Sequence, residues 1–300
     1  VTAEQRGASR PIVVFVAITY ALSIALSFVI GLTGGYQSRL IGLAFLSMLI
    51  PATAVVIVDL AMDERIASGW NRLPLAYVPV ALLLIPLVMH AAMLPMTVVV
   101  DGRLPWENWL TPQADGWFHT PASRGWGVLT LNALVARIAI NALVGLVIVS
   151  VLASFEEVGW RAWLLPRLMV RFGARRAVVL TAVIWAFWHT PYQLSGLQHI
   201  AGVSPGRLAL TMPIAIFGPG LVIGWLWLRT RSIWIVSLAH GALNNWGQYA
   251  FKYMQDTDAD ETIVLIAGGA ALAVVGGLLL TFAGTTNATK TALDSVGARD

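Results

Sequence analysis

No cysteine occurs anywhere in the 300 residues. Its absence excludes disulfides, thiolate metal sites and a cysteine nucleophile, and leaves the compartment open. Charge is nearly as scarce: Asp, Glu, Lys and Arg make up 11% of the chain, against about 25% in an ordinary soluble domain. So few charges cannot cover a water-exposed surface of normal size, so lipid must replace much of the water. There is no repeat of fixed period, no low-complexity segment and no His-Glu-x-x-His run of the zinc-peptidase kind. Nor is any basic run interleaved with aromatics on a soluble segment. The net charge of +4 and the pI near 9.8 therefore point to membrane orientation and anionic lipid headgroups, not to a nucleic-acid partner.

Apolar residues, by contrast, make up 58% of the chain, and they fall into runs. A bilayer core needs about 20 apolar residues per crossing helix. Eight stretches qualify: 11–32, 40–62, 73–100, 129–155, 178–194, 208–228, 233–251 and 262–283. The first follows Arg6 and Arg10 as a signal peptide would, but it is too long and lacks a small-residue cleavage pattern, so it reads as an anchor. The expectation is an all-α polytopic bundle over residues 1–283, with 284–300 a disordered cytoplasmic tail.

Charge asymmetry orients the bundle. With the N-terminus cytoplasmic and every span crossing, thirteen Lys and Arg fall inside and five outside, Arg137 lying within a span. The positive-inside rule then places both termini in the cytoplasm, for a protein of the bacterial inner membrane. Trp106, Trp109, Trp117 and Trp126 in one loop read as an interfacial aromatic belt. Gly268, Gly269, Gly276 and Gly277 read as a close-packing face, and the sequon at Asn287 as chance.

Ionisable groups inside spans cost about 2.5–3.5 kcal/mol each on insertion scales, so each one calls for a role. Glu156 and Glu157 stand at the end of the fourth expected span, inside Ser154-Phe155-Glu156-Glu157-Val158-Gly159-Trp160-Arg161. His189 ends the fifth, within Trp185-Ala186-Phe187-Trp188-His189. His240 and Asn244 share one face of the seventh. Glu157 and Arg161 are four apart with the acid first, the better orientation for an ion pair. Glu156, about 100° around the helix, points elsewhere. His90 alone reads as a packing histidine and Asp59 as interfacial. Two acids, an arginine, two histidines and an asparagine in three spans are more than anchoring requires. One geometric difficulty stands: straight complete spans would put Glu156 and His189 on opposite sides. Either residues 160–175 re-enter the membrane, or the fifth span tilts or runs past Pro191.

The three motifs resemble, in order, those of the CAAX protease and bacteriocin-processing family of intramembrane glutamic endopeptidases, which includes the Ras-converting enzyme. They are Glu156-Glu157-x-x-x-Arg161, Trp185-x-x-x-His189 and His240-x-x-x-Asn244, within a motif core of about 150–245. The chain departs at Trp185, where the family usually has Phe. The resemblance implies an eight-helix architecture, convergence of the motif helices and an active site open to the cytosol. It implies a peptide or protein substrate at the membrane, possibly of the prenylated CAAX type. By position, Glu156 activates a water, His189 holds it and shuttles a proton, and His240 with Asn244 stabilises the oxyanion. Glu157 and Arg161 orient the site. No cofactor is needed in that scheme.

Three other readings use the same residues. A zinc peptidase would take Glu156, His189 and His240 as ligands with water in the open position. A non-catalytic scaffold or immunity protein would bind a partner at the motifs. A proton-coupled transporter would also bury Glu, His and Arg, but no inverted repeat of the motifs is present.

Overall fold

A computed structural model describes residues 10–62, 69–70, 72–104, 111–119, 127–198, 200, 202–247 and 261–282. The calls on Trp106, Trp109, Trp126, the sequon and the tail from 284 lie outside these residues. The described chain is a helical bundle, and six of its segments are long and apolar enough to cross a membrane. Helices of that kind mark an integral membrane protein. The helices are α1 (Arg10–Leu32), α2 (Ile50–Met62), α3 (Val78–Asp101), α4 (Leu131–Glu157), α5 (Leu165–Phe172), α6 (Ala174–Trp188), α7 (Thr190–Leu194), α8 (Pro205–Thr230), α9 (Ile233–Ala242) and α10 (Glu261–Phe282). Large apolar side chains such as Leu60, Val99 and Phe282 are fully open on the outside, as lipid-facing surface must be.

Sequence chemistry explains the ends. Thr130, Ser204 and Ser232 are N-caps whose hydroxyls accept from the backbone N–H three residues on. Pro205 occupies the first turn of α8, where no N–H is needed. α8 is the central helix: 56% of its most apolar window is buried, against 22–33% for the other five. Glycine lets α10 reach it. A Cβ on Gly218 would stand 2.0 Å from the Gly269 carbonyl oxygen, and one on Gly269 2.4 Å from Ala215 Cα. Of the four glycines expected to pack closely, Gly268, Gly269 and Gly276 do so, while Gly277 faces open space.

The fourth span differs from expectation in a way that matters. It does not end at Phe155. A π-helical segment, Val158–Leu164, carries α4 directly into α5, so the helix runs 42 residues to Phe172. Gly173, at φ +76°, then reverses the chain into α6, a conformation that glycine adopts without strain. Glu156 lies 17 residues before this turn and His189 16 after it. At about 1.5 Å per residue both legs are about 25 Å long, so the two side chains meet at one height. Residues 156–169 are buried in the protein without interruption. Arg161 and Arg167, counted from sequence as loop charges, are inside the protein.

Two further departures are local. The linker before α4 forms a three-stranded antiparallel sheet, Thr111–Pro112, Trp117–His119 and Val128–Thr130, which its Gly-punctuated sequence did not announce. The second span begins as a 3-10 stretch, Ile41–Leu49.

Contacts between helices define two ends of the bundle. Tyr20 Oη donates to Ile184 O (2.8 Å), Trp188 Nε1 to Ser23 Oγ (2.7 Å), and Tyr36 N to Gly196 O (2.8 Å). α1 and α6–α7 are therefore parallel, with Arg10 level with the Gly173 turn. Gly224 packs on Val178 and Gly220 on Ala182, so α8 descends to the same end. Arg175 donates to Thr281 O (2.8 Å), which brings the end of α10 there too.

Candidate active site

All three motif helices leave regular α geometry where their polar residues sit. The π segment Val158–Leu164 follows the glutamates at once. The fifth span breaks between Trp188 and Thr190, with Pro191 in the first turn of α7. α9 passes into a second π segment, Leu243–Gly247, that includes Asn244. Such breaks release backbone groups, which buried polar side chains can use.

The adjacent glutamates diverge as their spacing requires. Glu157 is fully buried, and its Oε1 accepts from Arg161 Nη1 (2.8 Å) and from His240 Nδ1 (2.8 Å). Glu156 turns away, and its Oε2 accepts from Trp185 Nε1 (3.0 Å). The Trp185 ring also lies 4.7 Å beneath the Arg161 guanidinium and makes edge contacts with His189 (5.4 Å) and His240 (5.2 Å). Its carbonyl accepts from His189 Nδ1 (2.9 Å). That bond leaves His189 Nε2 with its lone pair.

α9 reaches this cluster because Gly241 has no side chain: a Cβ there would stand 2.0 Å from Ser150 Oγ on α4. Asn245 and Trp246 pin the same segment by donating to Asn141 O and Ala142 O. Beneath lies an aromatic floor in which Phe15 stacks on Trp163 (4.6 Å) and meets Trp160 edge-on (5.6 Å).

Glu156, His189, His240 and Asn244 line one cavity of about 360 Å³. Glu157 and Arg161 stand behind that wall. The facing wall comes from Tyr36 and from the 3-10 stretch through Ile41, Phe45 and Met48, with Gln198 at the rim. Sequence reasoning found no motif in the first three spans and missed this wall. Ile41–Leu49 is wholly apolar but for one serine and buries none of its residues, so its sequence carries no mark that sets it apart from a lipid-facing span. Sequence reasoning also missed Trp185 as a donor. His90 lies apart on α3, its Nδ1 donating to Pro86 O (2.6 Å), and Asp59 is half-buried on α2. Among the described residues no group of three His, Cys, Asp or Glu is arranged to hold a metal.

Residues 116–246 match the family described as Type II CAAX prenyl endopeptidase Rce1-like. The motif-bearing part of the chain is thus similar to that family. A curated relative, CAAX prenyl protease 2 of Methanococcus maripaludis, is 30% identical over 122 residues, 40% of this chain and 45% of the relative. The chain thus spans just under half the length of that relative. The match takes in all three motifs and starts within the small sheet; α1 to α3 and α10 lie outside it.

Proposed function

We propose that the chain is an intramembrane endopeptidase in which Glu156 activates water against a peptide bond. The observation that carries this reading is the shared cavity: one carboxylate, two imidazoles and a carboxamide face a single space, while the neighbouring carboxylate is held away in an ion pair. Glu156 takes a proton from water as the oxygen attacks the scissile carbonyl carbon. His189 Nε2 accepts a hydrogen bond from that water and holds it in place. The carbonyl oxygen becomes an oxyanion, and Asn244 Nδ2 is a donor of the right kind for it. His240 can donate through Nε2 only when both ring nitrogens carry protons, because Nδ1 already donates to Glu157. Arg161 balances the Glu157 charge. A preorganised donor of this sort contributes about 2.7–4 kcal/mol to the barrier. The C–N bond then breaks, and the proton taken by Glu156 passes to the leaving amine. No metal takes part in these steps.

The substrate is a membrane-associated polypeptide. The relative's name, CAAX prenyl protease 2, makes a prenylated CAAX peptide the first to try. Both termini of the described bundle lie at its arginine-rich end, which supports a cytoplasmic placement for both. The test is cleavage by the purified protein in detergent, with prenylated and unprenylated peptides, Glu156→Gln, and a chelator arm. Product from wild type with or without chelator, and none from Glu156→Gln, is expected. Cleavage that survives Glu156→Gln overturns the mechanism, and chelator-sensitive cleavage restored by zinc transfers it to a metal. A variant without cleavage that keeps the full biological effect transfers the reading to a scaffold.

A further inference from the structure

One polar side chain in the cavity has no part in the steps above. Tyr192 stands on α7, three residues beyond His189, and lines the same space as Glu156, His189, His240 and Asn244. It is only 3% exposed, yet its Oη has no hydrogen-bond partner among the described residues. A buried tyrosine hydroxyl normally finds one. Ser23 and Ser47 flank it, and Glu156 lies within electrostatic reach, but neither serine closes a hydrogen bond with it. Ser23 Oγ is already engaged, accepting from Trp188 Nε1 (2.7 Å) and donating to Thr19 O (2.8 Å). Ser47 itself lines the cavity, so the hydroxyl end of the ring lies at the cavity wall. If packing were the ring's only task, a phenylalanine would fill the space and orphan nothing.

The residue is also held still. Its ring meets Trp188 edge-on at 5.3 Å. Tyr192 N donates to His189 O (3.0 Å), and the Tyr192 carbonyl accepts from Leu197 N (3.0 Å), Gln198 N (3.1 Å) and Ser195 Oγ (3.1 Å). A donor fixed in this way needs no reorganisation when charge develops on a substrate oxygen. Donors for that oxygen are scarce here. His240 Nδ1 is taken up by Glu157, so neutral His240 has only a lone pair left at Nε2. Asn244 supplies one donor, and a hydroxyl can supply another whatever the protonation state of His240.

We infer that the Tyr192 hydroxyl is a further catalytic group: it donates a hydrogen bond to the scissile carbonyl oxygen as that oxygen becomes an oxyanion, beside Asn244. The proton stays on Tyr192 throughout, so the balance of the hydrolysis is unchanged. The inference rests on the peptidase reading and adds to it a residue outside the three motifs.

Tyr192→Phe keeps the ring and removes the donor. With purified protein in detergent and a peptide that wild type cleaves, kcat is expected to fall about a hundred-fold with KM little changed. A peptide with a phosphinate in place of the scissile amide mimics the tetrahedral oxyanion, and its affinity should fall in step with kcat/KM. An analogue with a CH2–NH link there lacks the oxygen and should bind both proteins equally. 3-Fluorotyrosine at position 192 keeps the ring shape and carries a more acidic hydroxyl, so kcat should hold or rise, whether or not Tyr192→Phe folds. Full kcat in Tyr192→Phe overturns the inference, as does a rise in KM alone, which marks ground-state binding. A loss of kcat with 3-fluorotyrosine, or equal weakening of both analogues, also overturns it, since packing then carries the effect. No cleavage of any peptide by wild type sinks the peptidase reading, and this inference with it.

Discussion

Arg161→Ala tests the electrostatic centre of the site. Arg161 and Glu157 are both fully buried and joined at 2.8 Å, so removing the guanidinium leaves a carboxylate with no water to take its place. Breaking a buried pair from one side costs about 3–5 kcal/mol. The lower end of that range applies here, because His240 Nδ1 still donates to Glu157 Oε1. No slack exists elsewhere: Glu157 Oε2 and Arg161 Nη2 have no hydrogen-bond partner among the described residues, so the pair depends on the Oε1 contacts. Neutralising both partners removes the orphaned charge. Arg161→Met with Glu157→Gln should therefore cost less than Arg161→Ala alone, since the introduced amide oxygen still accepts from His240. The assay is a reversible unfolding titration in mixed micelles for wild type, both singles and the double. A loss below about 1 kcal/mol for Arg161→Ala, the range of exposed pairs, with no recovery in the double, would refute the reasoning.

Three other outcomes follow from particular contacts. Trp185→Phe keeps an aromatic but removes the donor to Glu156 Oε2; a hydrogen bond to a charged group contributes about 1.5–3 kcal/mol, so kcat should fall about ten- to hundred-fold with KM little changed. Unchanged kcat would sink that role. Gly218→Ala pushes a methyl to within 2.0 Å of the Gly269 carbonyl oxygen and should destabilise by about 1–3 kcal/mol, read by the same titration, with activity per folded molecule retained. His90→Ala removes only the bond to Pro86 O; it should cost about 0.5–1.5 kcal/mol of stability and leave the cleavage rate intact.

The bundle was legible because lipid imposes a strong constraint: six of the eight expected stretches fall in helices long and apolar enough to cross a membrane, the fifth and seventh being broken into shorter pieces, and the polar exceptions stand out. The divergence of Glu156 from Glu157 was legible for the same reason, since helical spacing fixes directions within one helix. The continuation of α4 through Val158–Leu164 was not. Arg161 and Arg167 read as loop charges because the span was expected to stop at Phe155; Glu157 and Trp163 shelter them from four residues away on the same helix, and only the Trp185 ring against Arg161 is tertiary. The cavity's facing wall was hidden because apolar residues that line a space and those that face lipid look alike in sequence. The donor role of Trp185 was invisible because a motif records a residue type, not the atom it presents.

The irregular helices explain how this polar site can exist inside an apolar bundle at all. A regular helix spends every interior carbonyl on its own ladder, and a buried histidine then has only side chains to bond. At the Trp188–Thr190 break the ladder loosens: His189 N turns to Ala186 O, and the Trp185 carbonyl accepts from the imidazole. One tryptophan thereby holds Glu156 through its indole and His189 through its backbone, so the two groups assigned to water share one support. On the other helix pair, Gly241 brings His240 to Glu157 and the π segment turns Asn244 to the cavity. The cavity-facing carboxylate is thus held by a neutral donor and its neighbour by two basic groups. That asymmetry gives two adjacent glutamates different surroundings in one buried site.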